Sequence, residues 1–551
     1  MYLDLHDVAA ARLDADVAIV GAGAAGITLC RRLLAGGLSV ILLESGGCDY
    51  DADSAALNRG ANIGQDYYAL EDTRLRFFGG STAIWGGRCA MLDPIDFERR
   101  AWVPHSGWPF GLDELMPYYR EARLNLGLPE IAPTAADIGG ILPAFDANRL
   151  VSPLWLFDGM SDRFSFARSQ DLVTHPRCKV VGHATVRDLV LNASGRAIER
   201  LAVCDPGGRT IDVRARQIVL AAGGIENPRL LLASNGVMPR GIGNQHDQVG
   251  RFFMEHPHAR GGRIAGAAWT WLRAFAKRTV DGAAIAPVIA PSPRLQADRG
   301  LLNTSLTVAG RRGPNASQPL LLAAYHRIRH SAAPTRTGRS LWWTAKRAVQ
   351  ALQGVTDPLR PWLLNKAGML DVALVVRAEQ APNPDSRVLL STEPDATGMP
   401  RVMLDWRTSA LDVDSVAGLV DALGEEAGRL GLGTVEPAGW LRDEAKEWVT
   451  DALISSHPIG GYHHIGTTRM SDDPRSGVTD RDGRVHGVDN LYVAGSSLFP
   501  TSGWANPTLT IIALALRTGD RILATMGRPV ANDVDAGEAG APVRLRRRVA
   551  R

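Results

Sequence analysis

Two adjacent histidines, His463 and His464, lie in the glycine-flanked stretch Pro458-Ile-Gly-Gly-Tyr-His-His-Ile-Gly-Thr467. A neutral imidazole, with a pKa near ~6.5, can accept an alcohol proton at neutral pH, and hydride loss from carbon becomes easier as the hydroxyl gains alkoxide character. In an extended segment successive residues face opposite sides, so one ring can enter a pocket while the other packs or bonds elsewhere. Further on, Gly503-Trp-Ala-Asn-Pro-Thr-Leu-Thr510 places Asn506 just ahead of an apolar helix. Its amide can donate to a substrate oxygen or accept from it, and it can also cap the helix. The five cysteines are scattered, with no CxxC and no His/Cys ladder, which argues against a disulfide framework, a zinc site or an iron–sulfur site.

The second chemistry-bearing pattern opens the chain. The β-branched run Val17–Val20 is followed by Gly21-Ala-Gly23-Ala24-Ala25-Gly26, a helical stretch Ile27–Leu34, a second strand Leu38–Leu43 and Glu44. The glycines allow a tight turn and a close approach of backbone to a pyrophosphate, which then meets the unpaired N–H groups of the helix N-terminus. Glu44 follows Gly26 by 18 residues, the place of an acid that accepts from ribose hydroxyls. More glycine-rich pieces follow. The loop Arg76–Arg88 carries Gly79, Gly80, Ser81, Trp85 and Gly86, and such backbone can run flat along a large planar ligand. Thr185–Leu191, which includes Val186, and Ile211–Leu220 read as strands around the turn Asp205–Gly208, and the second leads into Ala222, Gly223 and Asn227 and the helix Arg229–Ala233. Asn490–Ser497 reads as a short buried strand ending in Gly495 and Ser496.

The elements that position these residues are therefore spread along the chain. The expected organisation is a discontinuous nucleotide domain over 1–92, 180–255 and 485–530, with 93–179 and 256–484 forming a substrate domain and an insertion. Residues 531–551 read as a disordered basic tail.

With GAGAAG and Glu44, the loop GGSTAIWGG, the segment AAGGIENPRLLLAS and the C-terminal phrases GYHHIGTTRM and NLYVAGSSLFPTSGWANPTLTIIALALR, the chain resembles the glucose–methanol–choline (GMC) oxidoreductases. HxxGTxRM and ANPTLT are closest to the pyranose oxidase and sugar dehydrogenase branch. The resemblance covers nearly everything except about 255–370. It implies a doubly wound, Rossmann-like α/β domain that binds FAD and a substrate domain with a mainly antiparallel sheet. It also implies oxidation of an alcohol, most of all a sugar or glycoside secondary hydroxyl, by hydride transfer to flavin N5. The family's proton acceptor, ahead of x-x-Gly-Thr, maps onto His463, which leaves His464 as a supporting or flavin-side residue. Asn506 stands where the family has His or Asn, and the helix start at Pro507 and Thr508 is expected beside the flavin. Some relatives link FAD covalently through a histidine just before the loop's tryptophan. This chain has Ile84 there and no histidine from Arg76 to Arg88, so non-covalent FAD is expected.

Composition narrows the rest. A chain of 551 residues can bury a large core without staples. Lys+Arg 61 against Asp+Glu 58 is near balance, unlike most nucleic-acid binders. No signal peptide or membrane span is expected, so a cytoplasmic location is. Residues 256–370 hold Trp269, Trp271, Trp342, Trp343 and Trp362, with Leu341, Trp342, Ala345, Val349 and Leu352 on one helical face. Core packing or an oligomer contact is the favoured reading over an interfacial helix. Three matters stay open: the acceptor, whether dioxygen, a quinone or a redox partner; a homo-oligomeric state; and the substrate. Alternatives to a sugar are a polyol, cyclitol or primary alcohol, and a non-catalytic flavin-bearing subunit.

Overall fold

The protein is described by a computed structural model that covers residues 1–160, 162–311, 337, 371–455 and 457–530. Val17–Val20, Val40–Leu43 and Ile218–Leu220 are unbroken apolar runs, and all are buried. Strands covered on both faces read this way, and they pair in parallel. The main sheet has eight strands. Tyr2–Asp4, Cys178–Gly182, Val40–Leu43, Arg12–Val20 and Thr210–Leu220 are parallel neighbours in that order. Leu491–Val493 adds in parallel to the end of Thr210–Leu220. Ile198–Cys204 and Thr185–Leu191 extend the sheet antiparallel, as a meander. The turn at Asp205–Gly208 therefore joins Ile198–Cys204, not Thr185–Leu191, to Thr210–Leu220. The helix Ala24–Ala35 packs with Thr508–Thr525, which in turn packs on Leu112–Asn125.

The remaining strands form smaller sheets. Ser305–Arg311, Asp371–Arg377, His258–Ala265 and Thr434–Pro437 make one antiparallel sheet. The strand period of two divides its faces. Val372, Leu374 and Val376 meet Val413, Val416, Leu419 and Val420 of the helix Ala410–Arg429 in one apolar cluster. Val375, Arg377, Thr307 and Arg311, from the alternate positions, line a cavity on the other side. Arg278–Val280, Ala283–Pro287, Leu154–Phe157 and Arg88–Cys89 form a second antiparallel sheet beside that cavity. The expected pairing of a Rossmann-like sheet with a mainly antiparallel one is therefore what the chain builds.

Two segment boundaries differ from expectation. Cys178–Gly182 begins within 93–179 yet pairs inside the nucleotide sheet, and Leu112–Asn125, from the same segment, packs on its C-terminal helix. Gly60–Asn62, within 1–92, instead joins Pro400–Asp405 and Arg387–Pro394. Both strands are short, at 5 and 3 residues, and strands this short carry almost no periodicity to read. Trp271 is fully buried and donates from Nε1 to Leu432 O at 2.8 Å, as core packing requires, whereas Trp269 is exposed. Trp342, Trp343, Trp362 and the tail 531–551 lie outside the described residues. Among the described residues no helix is long and apolar enough to cross a membrane.

Candidate active site

One cavity of about 800 Å³ runs between the main sheet and the antiparallel sheets. Its walls carry Gly21, Gly23, Ala24, Ala25, Glu44, Gly79, Gly80, Ser81, Trp85, Gly86, Val186, Ala222, Gly223, Gly495, Ser496, Asn506, Pro507 and Thr508, together with His463 and His464. Two residues expected among the cofactor contacts are not on the wall. A Cβ on Gly26 would run into the carbonyl of Gly21, so this glycine serves close helix–strand packing. Asn227 is buried behind the wall, accepting from Ala222 N at 2.9 Å and donating to Ser497 Oγ at 3.0 Å. It braces two cofactor-side loops against each other.

The cradle fits a dinucleotide. Gly23, Gly223 and Gly495 line the cavity and have nothing within 4 Å of where a Cβ would be, so any larger residue would project into this space. Gly23 stands at the N-terminal end of Ala24–Ala35, whose free N–H groups face the cavity end suited to phosphate. Glu44 accepts from Ala22 N at 2.9 Å and Gly46 N at 3.1 Å, and burial pushes its pKa up. The Nε2 atom of His464 is buried on the wall without a hydrogen-bond partner. Because the loop Arg76–Arg88 has no histidine, acid precipitation of the yellow holoprotein should release all its flavin into the supernatant. Flavin absorbance that stays with the precipitated chain would contradict non-covalent binding.

His463 is placed by its own loop and by residues far away in sequence. Gly461 lets the ring lie back over the backbone, since a Cβ there would sit 2.5 Å from Cε1 of His463. Tyr462 adopts the left-handed region, φ 61°, where a bulky residue is strained and must be held. The hold is Glu255. Its carboxylate accepts from His463 N at 2.9 Å, Gly461 N at 3.1 Å, His256 N at 2.8 Å and the Tyr67 hydroxyl at 2.6 Å. The Tyr68 hydroxyl accepts from Ile459 N at 2.9 Å and Gly460 N at 3.1 Å.

The ring nitrogens are ordered by a relay. His256 Nε2 lies 2.9 Å from the carbonyl of Gly503, so that nitrogen carries a proton. Burial lowers the His256 pKa to about 4, so the ring is neutral and its Nδ1 is an acceptor. That Nδ1 lies 2.7 Å from His463 Nδ1, which must then be the donor. The lone pair of His463 is thereby left on Nε2, and Asn506 Nδ2 donates to it at 3.2 Å. Burial, then His256, His258 and Arg377, push the His463 pKa well below its ordinary value. His464 packs its ring on Phe253 and Tyr67, with centroids 5.8 and 6.4 Å away, and burial takes its pKa to about 3. No side chain caps the helix Thr508–Thr525, so the amide of Asn506 is committed to His463 rather than to the helix.

Glu255, His256, Tyr67 and Tyr68 went unseen in the sequence. The one signal was His256 and His258, spaced two apart with Glu255 before them, polar residues in a stretch where a strand would present alternate faces. Glu255, His256 and His463 offer ligand atoms close to one another. The 2.7 Å between the two Nδ1 atoms is a hydrogen bond, however, and the carboxylate is already filled by four donors.

A parallel sheet with a glycine cradle at its strand ends, opening on a partly buried histidine, is the arrangement of a nucleotide-dependent oxidoreductase. Residues 16–246 match the FAD dependent oxidoreductase family, and residues 382–515 match the GMC oxidoreductase family. The chain therefore carries a GMC oxidoreductase domain over its C-terminal part and is an FAD-dependent oxidoreductase acting on CH–OH groups. It is 26% identical to paromamine 6'-oxidase of Streptomyces fradiae, across 92% of this chain and 91% of that one. It is 24% identical to the fructose dehydrogenase large subunit of Gluconobacter japonicus, across 93% and 98%. A crystal structure of formate oxidase shares the fold, with a TM-score of 0.52 and 18% identity, across 94% of this chain and all of that one.

Proposed function

We propose that the protein oxidises a secondary hydroxyl of a sugar or glycoside, with His463 as the base and Asn506 as the residue that orients the hydroxyl. The observation that carries this reading is the pair His463 Nε2 and Asn506 Nδ2, 3.2 Å apart on the wall of the same cavity as the glycine cradle. The sugar assignment rests on the names of the relatives. When bound, FAD supplies a hydride acceptor at its N5 atom. The residues holding it are the lining glycines, Glu44, Ser81, Ser496 and the helix start at Pro507 and Thr508, whose partial positive charge favours an anionic ring. A substrate hydroxyl set between the pair accepts from Asn506 Nδ2 and donates to His463 Nε2. The proton moves to Nε2 while Nδ1 stays bonded to His256, so the imidazolium forms without ring rotation. Buried Glu255, bonded to the same loop, lies 3.9 Å from His463 Nδ1 and supports that charge. Among the described residues, the segments 1–92, 180–255 and 485–530, apart from Gly60–Asn62 and Arg88–Cys89 and together with Leu112–Asn125 and the start of Cys178–Gly182, serve the cofactor, and the sheets Ser305–Arg311 to Thr434–Pro437 and Arg278–Val280 to Arg88–Cys89 serve the substrate. Turnover of neutral sugars, polyols and primary alcohols with dioxygen, a quinone and a dye as acceptors tests the reading. No sugar oxidised with any acceptor would overturn it.

The base has a pH signature. With a pKa held below ~6.5, His463 is neutral through the neutral range, and flavin reduction should be flat there and fall only as pH drops through the lowered pKa. Asn506→Asp puts a carboxylate beside Nε2. The negative charge stabilises the imidazolium and raises its pKa, so the falling limb should move to higher pH. It also opposes negative charge gathering on the cofactor, so the plateau should drop. Stopped-flow flavin reduction across pH reads both effects. An unchanged limb and plateau would mean that Asn506 does not meet the reacting centre.

A further inference from the structure

Three cations gather on one wall of the cavity, and among the described residues none of them is paired with an acid. Trp155 and Phe157 stand two apart on the strand Leu154–Phe157 and so share a face, and both line the cavity. The guanidinium carbon of Arg88 lies 5.3 Å from the Trp155 ring centre and 5.7 Å from that of Phe157. The guanidinium carbon of Arg377 lies 5.4 Å from Trp155, and Lys277 Nζ lies 3.9 Å from Phe157. Arg88, Lys277 and Arg377 are all cavity-lining. Among the described residues none of the three makes an ion pair, and the one hydrogen bond they make runs from Arg377 Nη1 to His258 Nε2, at 2.8 Å. The Nε atoms of Arg88 and Arg377, and Nε1 of Trp155, are buried and unpartnered.

The carboxylates of the described cavity wall are committed elsewhere. Glu44 is bonded to backbone amides, and Glu226 is paired with Arg74, Arg76 and Arg229. Arg88 and Arg377 are partly buried and Lys277 is exposed at the rim; like charges gathered this way without an acid are costly, and aromatic faces compensate only in part. The strain registers in the groups themselves: burial lowers the pKa of all three, with Arg88 adding to the effect on Lys277 and Arg377. The cluster also adjoins the base. His258, which accepts from Arg377, lies two residues from His256 on the chain, and the charge of Arg377 reaches His463.

We propose that Arg88, Lys277 and Arg377 form an anion-recognition subsite and that the natural alcohol substrate carries a carboxylate or phosphate seated there while its hydroxyl meets His463 and Asn506. The proposal rests on the reading of the site as alcohol-oxidising and narrows its substrate to acidic sugars or sugar phosphates. A planar guanidinium takes a carboxylate or phosphate bidentately, and a lysine adds a point charge, which is the recognition chemistry assembled on this wall. The other source of an anion is the cofactor's own pyrophosphate, whose place is instead the helix N-terminus at Gly23.

The test uses holoenzyme with D-glucuronate and D-glucose, which share a ring and differ in the charged group, and inorganic phosphate as a competitor. Calorimetric titration should give glucuronate an affinity on the order of 10–100-fold above glucose, the worth of a charge-assisted contact. Phosphate should compete, and added salt should narrow the gap. Arg88→Gln and Arg377→Gln should each remove most of the preference with bound FAD unchanged, and Arg88→Lys should retain part of it. Equal affinities with no competition from phosphate overturn the proposal and leave the alcohol oxidation standing. A preference that survives both glutamine substitutions also overturns it, as does loss of FAD from Arg88→Gln with retention in Arg88→Lys, which assigns the charges to the cofactor. Arg88-dependent binding of glucuronate or phosphate by an enzyme that oxidises no sugar keeps the subsite and sinks the sugar reading. The wild-type measurements decide the matter even where a glutamine variant does not fold.

Discussion

His463→Ala is expected to keep its FAD and to lose about 10²–10⁴ in kcat for an alcohol, the usual cost of removing a general base. At 1.36 kcal/mol per decade the lower bound is about 2.7 kcal/mol of barrier. The loss should fall on kcat more than on KM, because proton acceptance develops in the transition state while Asn506 still orients the hydroxyl. His464→Ala should cost much less. Its ring packs on Phe253 and Tyr67 and its pKa is depressed to about 3, so it stays neutral, but its Nε2 has no relay behind it. Single-turnover flavin reduction at matched flavin content separates the two variants. If His464→Ala proves the slower, the roles of the neighbours are reversed.

The parts of this site that were legible in the sequence are those whose chemistry is local. Gly21, Gly23 and Glu44 lie within one strand–helix–strand unit, so spacing alone brings them to one end of a sheet. His463 and Asn506 are 43 residues apart, yet each sits in a short glycine- or proline-marked stretch that stands out in the sequence. Gly26 and Asn227 belong to the same motifs but turn their contacts inward, toward Gly21 and Ser497. A motif gives the neighbourhood of a residue and not the direction of its side chain.

The residues that order the base were hidden for a different reason. His256 reaches His463 across 207 residues, and Tyr67 reaches Glu255 across 188. Arg88 and Arg377 arrive on one wall from two separate antiparallel sheets, and Lys277 from the loop just ahead of Arg278–Val280. The histidine pair is made by two irregular segments brought together at the isolated bridge between Met254 and Ile465, and no periodicity within either segment encodes that meeting. The tract Arg278–Arg311 carries no motif; it becomes a cavity wall where Ser305–Arg311 pairs with Asp371–Arg377 and Ala283–Pro287 pairs with Leu154–Phe157.

His256 carries the last and most specific expectation. In a free neutral imidazole the two tautomers are close in energy, so a base without a fixed partner presents N–H to its substrate much of the time. Here the Gly503 carbonyl fixes the proton of His256 on Nε2, and His256 Nδ1 fixes that of His463 on Nδ1. His256→Ala removes the acceptor, leaves a buried N–H unbonded and frees His463 to present the wrong nitrogen. The expected result is a fall in kcat of about 10–10², smaller than for His463→Ala because the base survives, with KM little changed. His256→Asn should recover much of the rate, since its side-chain oxygen falls near the lost Nδ1 and can accept the same hydrogen bond. A role in packing alone predicts otherwise: both substitutions would then lower thermal stability and flavin content together, and asparagine, polar in a buried site, would be no better than alanine. Flavin reduction kinetics of the two variants at equal flavin content decide between these outcomes. Equal rates in His256→Ala and wild type would show that Asn506, donating to Nε2 at 3.2 Å, is enough to hold the tautomer without the relay.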